Sequence, residues 1–138
     1  MSWLLDVNLM LASRWMTHPD HANAKAWLGT ISGFHTCSIV ELGFMRISLS
    51  PVYQATWNEV QTTLQKLHAR SGHKFLPDDV DGMASPETNS KDTTDAHLVT
   101  LAKWHGLKLA TLDTGLLAKP WAVGVAENPL VVPGPVSG

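Results

Sequence analysis

The stretch TDAHLVTLAKWHGLKLATLD, residues 94–113, contains both kinds of secondary structure that decide the fold. Its apolar residues recur at helical spacing, which predicts a helix from about Asp92 to His105. Gly106 is a typical helix stop. The run Leu107–Leu112 is predicted to be a buried strand, and Asp113 follows it directly. This stretch therefore predicts a helix and a strand in succession, with an acid at the carboxyl end of the strand.

The same alternation extends in both directions along the chain. The other predicted strands are Trp3–Val7, Gly33–Cys37, His73–Leu76 and Trp121–Ala126. The other predicted helices run from Asp20 to Leu28, with Gly29 as the stop, from Ser38 to Leu49, and from Val52 to Arg70. The polar segment 77–91 is predicted to be a loop. Strands that alternate with helices predict an α/β fold with a mainly parallel sheet.

The size and composition indicate one compact domain. The chain has 138 residues, of which 44% are hydrophobic, and such lengths are typical of single domains. We expect a domain over residues 1–127 and an irregular tail over residues 128–138. Cys37 is the single cysteine, so an intrachain disulfide is excluded and a reducing, cytoplasmic setting is expected. Asp6 interrupts the first apolar run, which predicts neither a signal peptide nor a membrane span.

The net charge argues against a general binder of nucleic acid. Lysine and arginine number 10 and the formal net charge is −2, whereas proteins that bind nucleic acid without sequence preference are usually basic. If the chain acts on RNA, positive charge at its site must come from metal ions or from a few well-placed basic side chains.

Four acidic residues stand at strand ends or helix starts: Asp6, Glu41, Asp95 and Asp113. The carboxyl ends of parallel strands meet at one edge of a sheet, so these side chains are predicted to converge there. Clustered carboxylates repel one another unless cations neutralise them, and Mg²⁺ and Mn²⁺ prefer oxygen ligands. Such a site can activate water for in-line displacement at a phosphodiester. The Asn8 amide and the Thr111 hydroxyl are expected to flank it.

Each acid also has a structural alternative. Asp6 suits the cap of the following helix, and Asp113 suits the start of a turn. Ser38 and Glu41 have the spacing of a capping box. Asp95 lies in a first helical turn, where acids complement the helix dipole. The residues alone leave these alternatives open.

The ordered segments LLDVNLMLA, CSIVELGFMR and TDAHLVTLAKWHGLKLATLD resemble the PIN domain, most of all the VapC toxins of bacterial VapBC toxin–antitoxin pairs. The resemblance covers about residues 3–126. It implies a three-layer α/β/α sandwich with a parallel sheet of four to five strands. It further implies an endoribonuclease dependent on Mg²⁺ or Mn²⁺, often a homodimer, that a cognate VapB-like antitoxin inhibits.

The resemblance also assigns individual residues. Asp6, Glu41, Asp95 and Asp113 match the four acids of the family in order, and it selects Asp95 over its neighbour Asp92. Direct metal coordination is least expected of Asp113. The polar neighbours of the family's metal site are matched by Asn8, Ser38 and Thr111. Arg46 is a candidate for phosphate contact, although its position alone favours an exposed helical arginine.

Two other functions suit the sequence less well. A phosphatase of the haloacid dehalogenase type needs a second aspartate two residues after the first, and Asn8 stands there. A non-catalytic PIN-like scaffold is disfavoured by the complete acidic set.

Zinc binding through His18 and His21 lacks further ligands nearby, so the histidines are expected to be satisfied or at the surface. Residues 52–70 are the predicted docking region for the antitoxin, through apolar contacts.

Overall fold

The structure is a computed structural model that describes residues 2–131. Its strands are β1 (Trp3–Leu5), β2 (Phe34–Thr36), β3 (His73–Phe75), β4 (Lys108–Ala110) and β5 (Ala126–Glu127). Its helices are α1 (Val7–Arg14), α2 (His21–Thr30), α3 (Ser38–Ser48), α4 (Trp57–His68), α5 (Thr93–Trp104) and α6 (Thr114–Leu117), with 3-10 turns at Gly82–Ala84 and Pro120–Ala122. Within these described residues, no helix is long and apolar enough to span a membrane.

The five strands form one parallel sheet in the order β3-β2-β1-β4-β5. The chain steps outward from β1 to β2 and β3, and then returns across the sheet to β4 and β5. Right-handed crossovers place α1 to α4 on one face of such a sheet, and α5 and α6 on the other. The predicted α/β sandwich with a parallel sheet is confirmed.

This strand order places a topological switch between β1 and β4. The two strands pair in parallel, with Leu4 opposite Leu109 and Leu5 opposite Ala110. The connections that leave these two strands run to opposite sides, so a crevice opens beyond their carboxyl ends. Asp6 follows β1 and Thr111 follows β4, which puts both residues at that crevice.

The wall beside the crevice depends on a close contact between α1 and α3. A Cβ atom placed on Gly43 would lie 2.7 Å from Cγ2 of Val7, so only glycine fits here without a shift. Trp15, which caps the end of α1, stacks on Phe44 and donates its indole N–H to Ser48 at 2.8 Å. These contacts fix the two helices against each other from the start of α1, at the carboxyl edge of the sheet, to its end.

Several predicted boundaries were wrong, and local backbone preferences explain the two largest differences. The helix predicted from Val52 begins at Trp57, because Pro51 starts a turn and Thr56 forms a capping box with Glu59. The strand predicted at Trp121–Ala126 is only Ala126–Glu127, since Pro120 begins a 3-10 turn and Gly124 adopts a φ of 83°. The helix predicted to stop at Gly29 continues to Thr30.

The predicted irregular tail is only partly covered by the structure. Residues 128–131 form no helix or strand. Residues 132–138 lie outside the described part of the chain, and the predicted domain boundary at residue 127 stays a prediction.

Candidate functional site

Asp6 links the central strand to the crevice. Its N–H donates to the Ala110 carbonyl at 2.9 Å, which extends the pairing of β1 with β4 by one residue. Its side chain is buried, at 5% exposure, and Oδ1 accepts the Val7 N–H at 2.8 Å. Asp6 therefore caps α1, as its structural alternative predicted, and the same carboxylate lines the cavity at the edge of the sheet.

Thr111 connects the polar groups of this edge. Its fully buried hydroxyl donates to Oδ2 of Asp6 at 2.7 Å and accepts from the Asn8 amide at 3.3 Å and the Asp113 N–H at 3.1 Å. The Asn8 carbonyl oxygen accepts the Leu112 N–H at 3.0 Å. Asn8 and Thr111 thus hold the end of β4 against the start of α1 and fix the orientation of the Asp6 carboxylate.

Two further aspartates complete the acidic group. Asp95 lies half-buried in the first turn of α5. Asp113 is exposed and caps α6, with Oδ1 accepting the N–H groups of Gly115 and Leu116. Both line the same cavity as Asp6, so residues from three separate parts of the chain meet at one edge of the sheet.

Two of these carboxylates have a raised pKa. Burial, followed by the negative charges of Asp6, Asp113 and Asp92, raises the pKa of Asp95 to about 6. Burial also raises the pKa of Asp6, although its hydrogen bonds from Thr111 and Val7 oppose that rise. Carboxylates that raise one another's pKa in this way favour a neutralising cation.

Basic side chains stand on both sides of the acidic group. The cavity has a volume of about 700 Å³, and its lining includes Arg46 and an apolar wall from α1 and α3. A second cavity of about 780 Å³ lies on the other side of Asp95 and Asp113, and its lining includes Lys91 and Lys119. Lys119 donates to Asp92 at 3.0 Å, so Asp92 is paired whereas Asp95 is raised in pKa by its acidic neighbours.

Glu41 lies in a different group of side chains. The α3 residues that line the cavity include Ile39, Leu42 and Arg46, and Glu41 projects from another side of the helix. Its Oε2 accepts the buried Thr36 hydroxyl at 2.5 Å and lies 2.9 Å from His68 Nε2. The structure therefore does not bring Glu41 into the lining of the acidic cavity.

The capping box predicted for Ser38 and Glu41 is wrong. Cys37 occupies the cap position of α3 without a side-chain hydrogen bond, and Ser38 is already the first helical residue. Ser38 is exposed and is not among the residues that line the cavity. The carboxylate of Glu41 is consequently free to reach Thr36 and His68 instead of the amide at its own helix start.

Comparison with known proteins places the chain among bacterial ribonucleases. Ribonuclease VapC38 of Mycobacterium tuberculosis is 36% identical over 121 residues, covering 82% of this chain and 86% of the relative. Ribonuclease VapC39 of the same organism is 35% identical and covers 92% and 99%. The chain belongs to the VapC ribonuclease family. The predicted resemblance to VapC is confirmed, although no general protein-family model matches the chain.

Solved structures agree with the VapC fold. FitAB bound to a DNA fragment has a TM-score of 0.66 at 18% identity, covering 95% of this chain and 97% of that one. VapBC2 from Rickettsia felis, bound to a DNA fragment from its promoter, has a TM-score of 0.61 at 13% identity and covers 92% and 98%. At these identities the likeness concerns the fold.

Two histidines beside Glu41 are the residues that sequence reasoning on this VapC-family chain missed. His68 ends α4 and His73 begins β3, and their rings stack with centroids 4.8 Å apart. Together with Glu41 they form a group that could hold a metal ion. No spacing in the sequence marks this group, because the pairing of β2 with β3 is what brings His73 to the strand that precedes Glu41.

The other histidines that the prediction considered are satisfied by near neighbours. His97 contacts Asp78 at 2.8 Å and His105 contacts Asp79 at 2.7 Å. His18 accepts the Asp20 N–H, and His21 lies 2.8 Å from the Ala12 carbonyl. The expectation of satisfied histidines is therefore confirmed for these four.

Proposed function

We propose that this VapC-family chain is a divalent-metal-dependent endoribonuclease, and that Asp6, Asp95 and Asp113 are its principal metal ligands. The observation that carries the proposal is the convergence of three carboxylates at the switch between β1 and β4. Membership of the VapC family supports the ribonuclease activity. The acidic cavity supports the dependence on a metal.

The donor set fits Mg²⁺ or Mn²⁺. All three ligand candidates offer carboxylate oxygens, which are the ligands that these hard cations prefer. Burial and then the neighbouring carboxylates raise the pKa of Asp95, and a cation would relieve the negative charge that gathers there. When bound, such an ion supplies positive charge that stabilises charge developing on a phosphodiester and promotes deprotonation of the attacking water.

The remaining residues orient the ligands and the substrate. Thr111 and Asn8 fix the Asp6 carboxylate, and the amides of Gly115 and Leu116 hold one oxygen of Asp113. Arg46 is exposed and borders the cavity, where its guanidinium can donate to an RNA phosphate. This placement favours phosphate contact over the alternative of a purely exposed helical arginine.

Glu41 enters the proposal as a fourth ligand on the strength of the family resemblance alone. To reach the acidic cavity its carboxylate must leave the Thr36 hydroxyl and His68. Ser38, beside it on α3, is proposed as a supporting polar group of that state. A comparison of Glu41 with Asp95 therefore tests how far the resemblance holds at this position.

The partners are proposed from membership of the VapC family. We propose an RNA substrate, a VapB-like antitoxin and a homodimer. The neighbouring structures are named as FitAB and VapBC2, each bound to a DNA fragment. In the predicted docking region, Val60, Leu64 and Leu67 already pack into the core, whereas Val52 and Trp57 are 76% and 51% exposed. An antitoxin that docks here would therefore contact the start of α4 and the turn before it.

Cleavage of bacterial total RNA by the purified chain tests the proposal. We expect discrete fragments with Mg²⁺ or Mn²⁺, none with EDTA, and a loss of at least about 100-fold in rate for Asp95→Asn. Asp92→Asn is the matched control, because Asp92 lies on the same turn but pairs with Lys119, and its rate should stay within about threefold of wild type.

The contrary outcomes are equally clear. Cleavage that survives EDTA would overturn the metal dependence. Absence of cleavage with every metal, together with Mn²⁺ binding that is equal in wild type and Asp95→Asn, would favour the non-catalytic scaffold.

A further inference from the structure

We propose that Glu41, His68 and His73 form a second metal site, separate from the acidic cavity and selective for a transition metal ion of the Zn²⁺ class. One ligand atom from each of the three residues lies within 4.8 Å of the others. This proposal does not depend on ribonuclease activity, because it rests on the position that the structure gives Glu41 and on two histidines that do not line the acidic cavity.

Three secondary structure elements bring the ligands together. Glu41 lies in the first turn of α3, His68 is the last residue of α4, and His73 is the first residue of β3. The pairing of His73 with Phe34 fixes the strand, and the preceding turn is tight, since Gly72 has a φ of 90° and contacts Ser32 too closely for any Cβ. The two histidines are therefore held facing each other across a rigid turn.

A buried hydroxyl orients the carboxylate. Thr36 is fully buried and donates to Oε2 of Glu41 at 2.5 Å, and the same hydroxyl lies 2.7 Å from His73 Nε2. Metal ligands commonly need such a neighbouring hydrogen bond to fix their orientation. Binding of a metal would replace the contacts of Glu41 with His68 and of Thr36 with His73, and would leave the bond from Thr36 to Glu41 in place.

The spacing suits a tetrahedral ion. Ligand atoms bound to zinc at its usual bond lengths lie about 3.3 Å apart. Oε2 of Glu41 and Nε2 of His68 are now 2.9 Å apart, so they need to separate by only a few tenths of an ångström. The ligand atom of His73 lies within 4.8 Å of both, so it needs to approach by about 1.5 Å at most. The His68 side chain is 42% exposed and that of Glu41 13%, which leaves a path for the ion and a fourth position for water.

The ligand chemistry selects the class of metal. Two imidazoles and one carboxylate suit Zn²⁺ and its transition-metal neighbours, whereas Mg²⁺ prefers oxygen ligands alone. The acidic cavity has the opposite preference, because its principal ligands are carboxylates. When both ions are supplied, Zn²⁺ should therefore bind to the Glu41 group and Mg²⁺ to the acidic cavity.

Competition with a chromophoric chelator measures the Zn²⁺ affinity of the full chain. We expect His68→Asn and His73→Asn to weaken Zn²⁺ binding by at least about tenfold. His105→Asn is the matched control, because His105 pairs with Asp79 elsewhere, and it should keep the wild-type affinity. Asp95→Asn should also keep it. Wild-type affinity in both His68→Asn and His73→Asn, or its loss in Asp95→Asn, would overturn the proposal.

X-ray absorption of the zinc-loaded wild type tests the same site without any substitution, so a variant that fails to fold leaves the test intact. We expect the scattering signature of two imidazole ligands together with oxygen. Zinc bound with no imidazole, or with one, would overturn the proposal.

Discussion

Two buried threonine hydroxyls hold two carboxylates in this chain, and the neighbours of each pair differ. Thr111 donates to Asp6 at 2.7 Å, and Thr36 donates to Glu41 at 2.5 Å. Both threonines are fully buried. Further aspartates surround the first pair, and histidines surround the second. The same hydrogen bond from a threonine to a carboxylate therefore occurs in both sites, and the surrounding side chains decide which cation suits each site.

The two regions also differ in how they balance charge without a metal. In the Glu41 group, imidazoles and a hydroxyl already contact the carboxylate. In the acidic cavity, burial and then the neighbouring carboxylates raise the pKa of Asp95 to about 6. Removal of all metal ions should therefore destabilise the acidic cavity, whereas the Glu41 group should remain stabilised by its own hydrogen bonds.

The largest expected effect separates the two threonines. Thr111→Val removes the hydroxyl that orients Asp6, so Mn²⁺ affinity and RNA cleavage should both fall about 10- to 100-fold, while Zn²⁺ affinity stays at the wild-type value. Isothermal titration with each metal, beside the cleavage assay, measures the difference. Thr111→Ser keeps the hydroxyl and should restore both properties.

Thr36→Val is the reciprocal half of that prediction. It should lower Zn²⁺ affinity about 10- to 100-fold and leave Mn²⁺ affinity unchanged. If both threonine variants weakened both metals equally, the two regions would behave as one site and the comparison would fail.

Glu41→Gln should have the next largest effect. Its Zn²⁺ affinity should fall as far as that of His68→Asn, because both residues are ligands of the same group. Its cleavage rate should fall by about tenfold or less, well short of the loss in Asp95→Asn, because Glu41 does not line the acidic cavity. Parallel rate measurements on the two variants give the answer. Equal loss of cleavage would instead mean that Glu41 turns into the cavity during catalysis.

The smallest expected effect concerns the stability of the metal-free protein. The pKa of Asp95 in the folded chain is about 6, above its ordinary 3.8, so the folded state binds this proton more tightly than the unfolded state. Stability is therefore lost as the pH rises from 3.8 to about 6. Asp95→Asn avoids this loss and should raise the free energy of unfolding at pH 7 by about 1–2 kcal/mol, allowing for partial exposure.

Urea unfolding in EDTA at several pH values measures that gain. The advantage of Asp95→Asn over wild type should disappear below the lower of the two pKa values. A variant less stable than wild type at pH 7 would show that the negative charge of Asp95 is already compensated within the protein.

The fold and the acidic edge could be predicted from the sequence because both follow from short-range patterns. Apolar runs end at Asp6 and Asp113, and each run adjoins a stretch whose apolar residues recur at helical spacing. This alternation of strands and helices is enough to predict a parallel sheet. The strand near Trp121 was misplaced because Pro120 and Gly124 shape the backbone there more strongly than the apolar run does.

The Glu41 group could not be predicted because its contacts are set by three-dimensional register. Whether a side chain on α3 faces the acidic cavity or Thr36 depends on the rotation of the helix about its axis, and the buried residues Val40, Phe44 and Ser48 set that rotation by packing into the protein. His68 and His73 have no recognised ligand spacing in the sequence. Only the turn at Gly72 and the pairing of β3 bring their rings together.

The hydrogen bond from Thr111 to Asp6 joins residues 105 positions apart in the chain, which has a consequence for biosynthesis. The ribosome makes Asp6 well before the group that orients it, which emerges only after β4. Until then β1 lacks one of its two neighbours in the sheet. A nascent or prematurely terminated chain that ends before Thr111 therefore lacks the assembled acidic cavity, and a cell producing this protein meets a finished site only after Thr111 has been made.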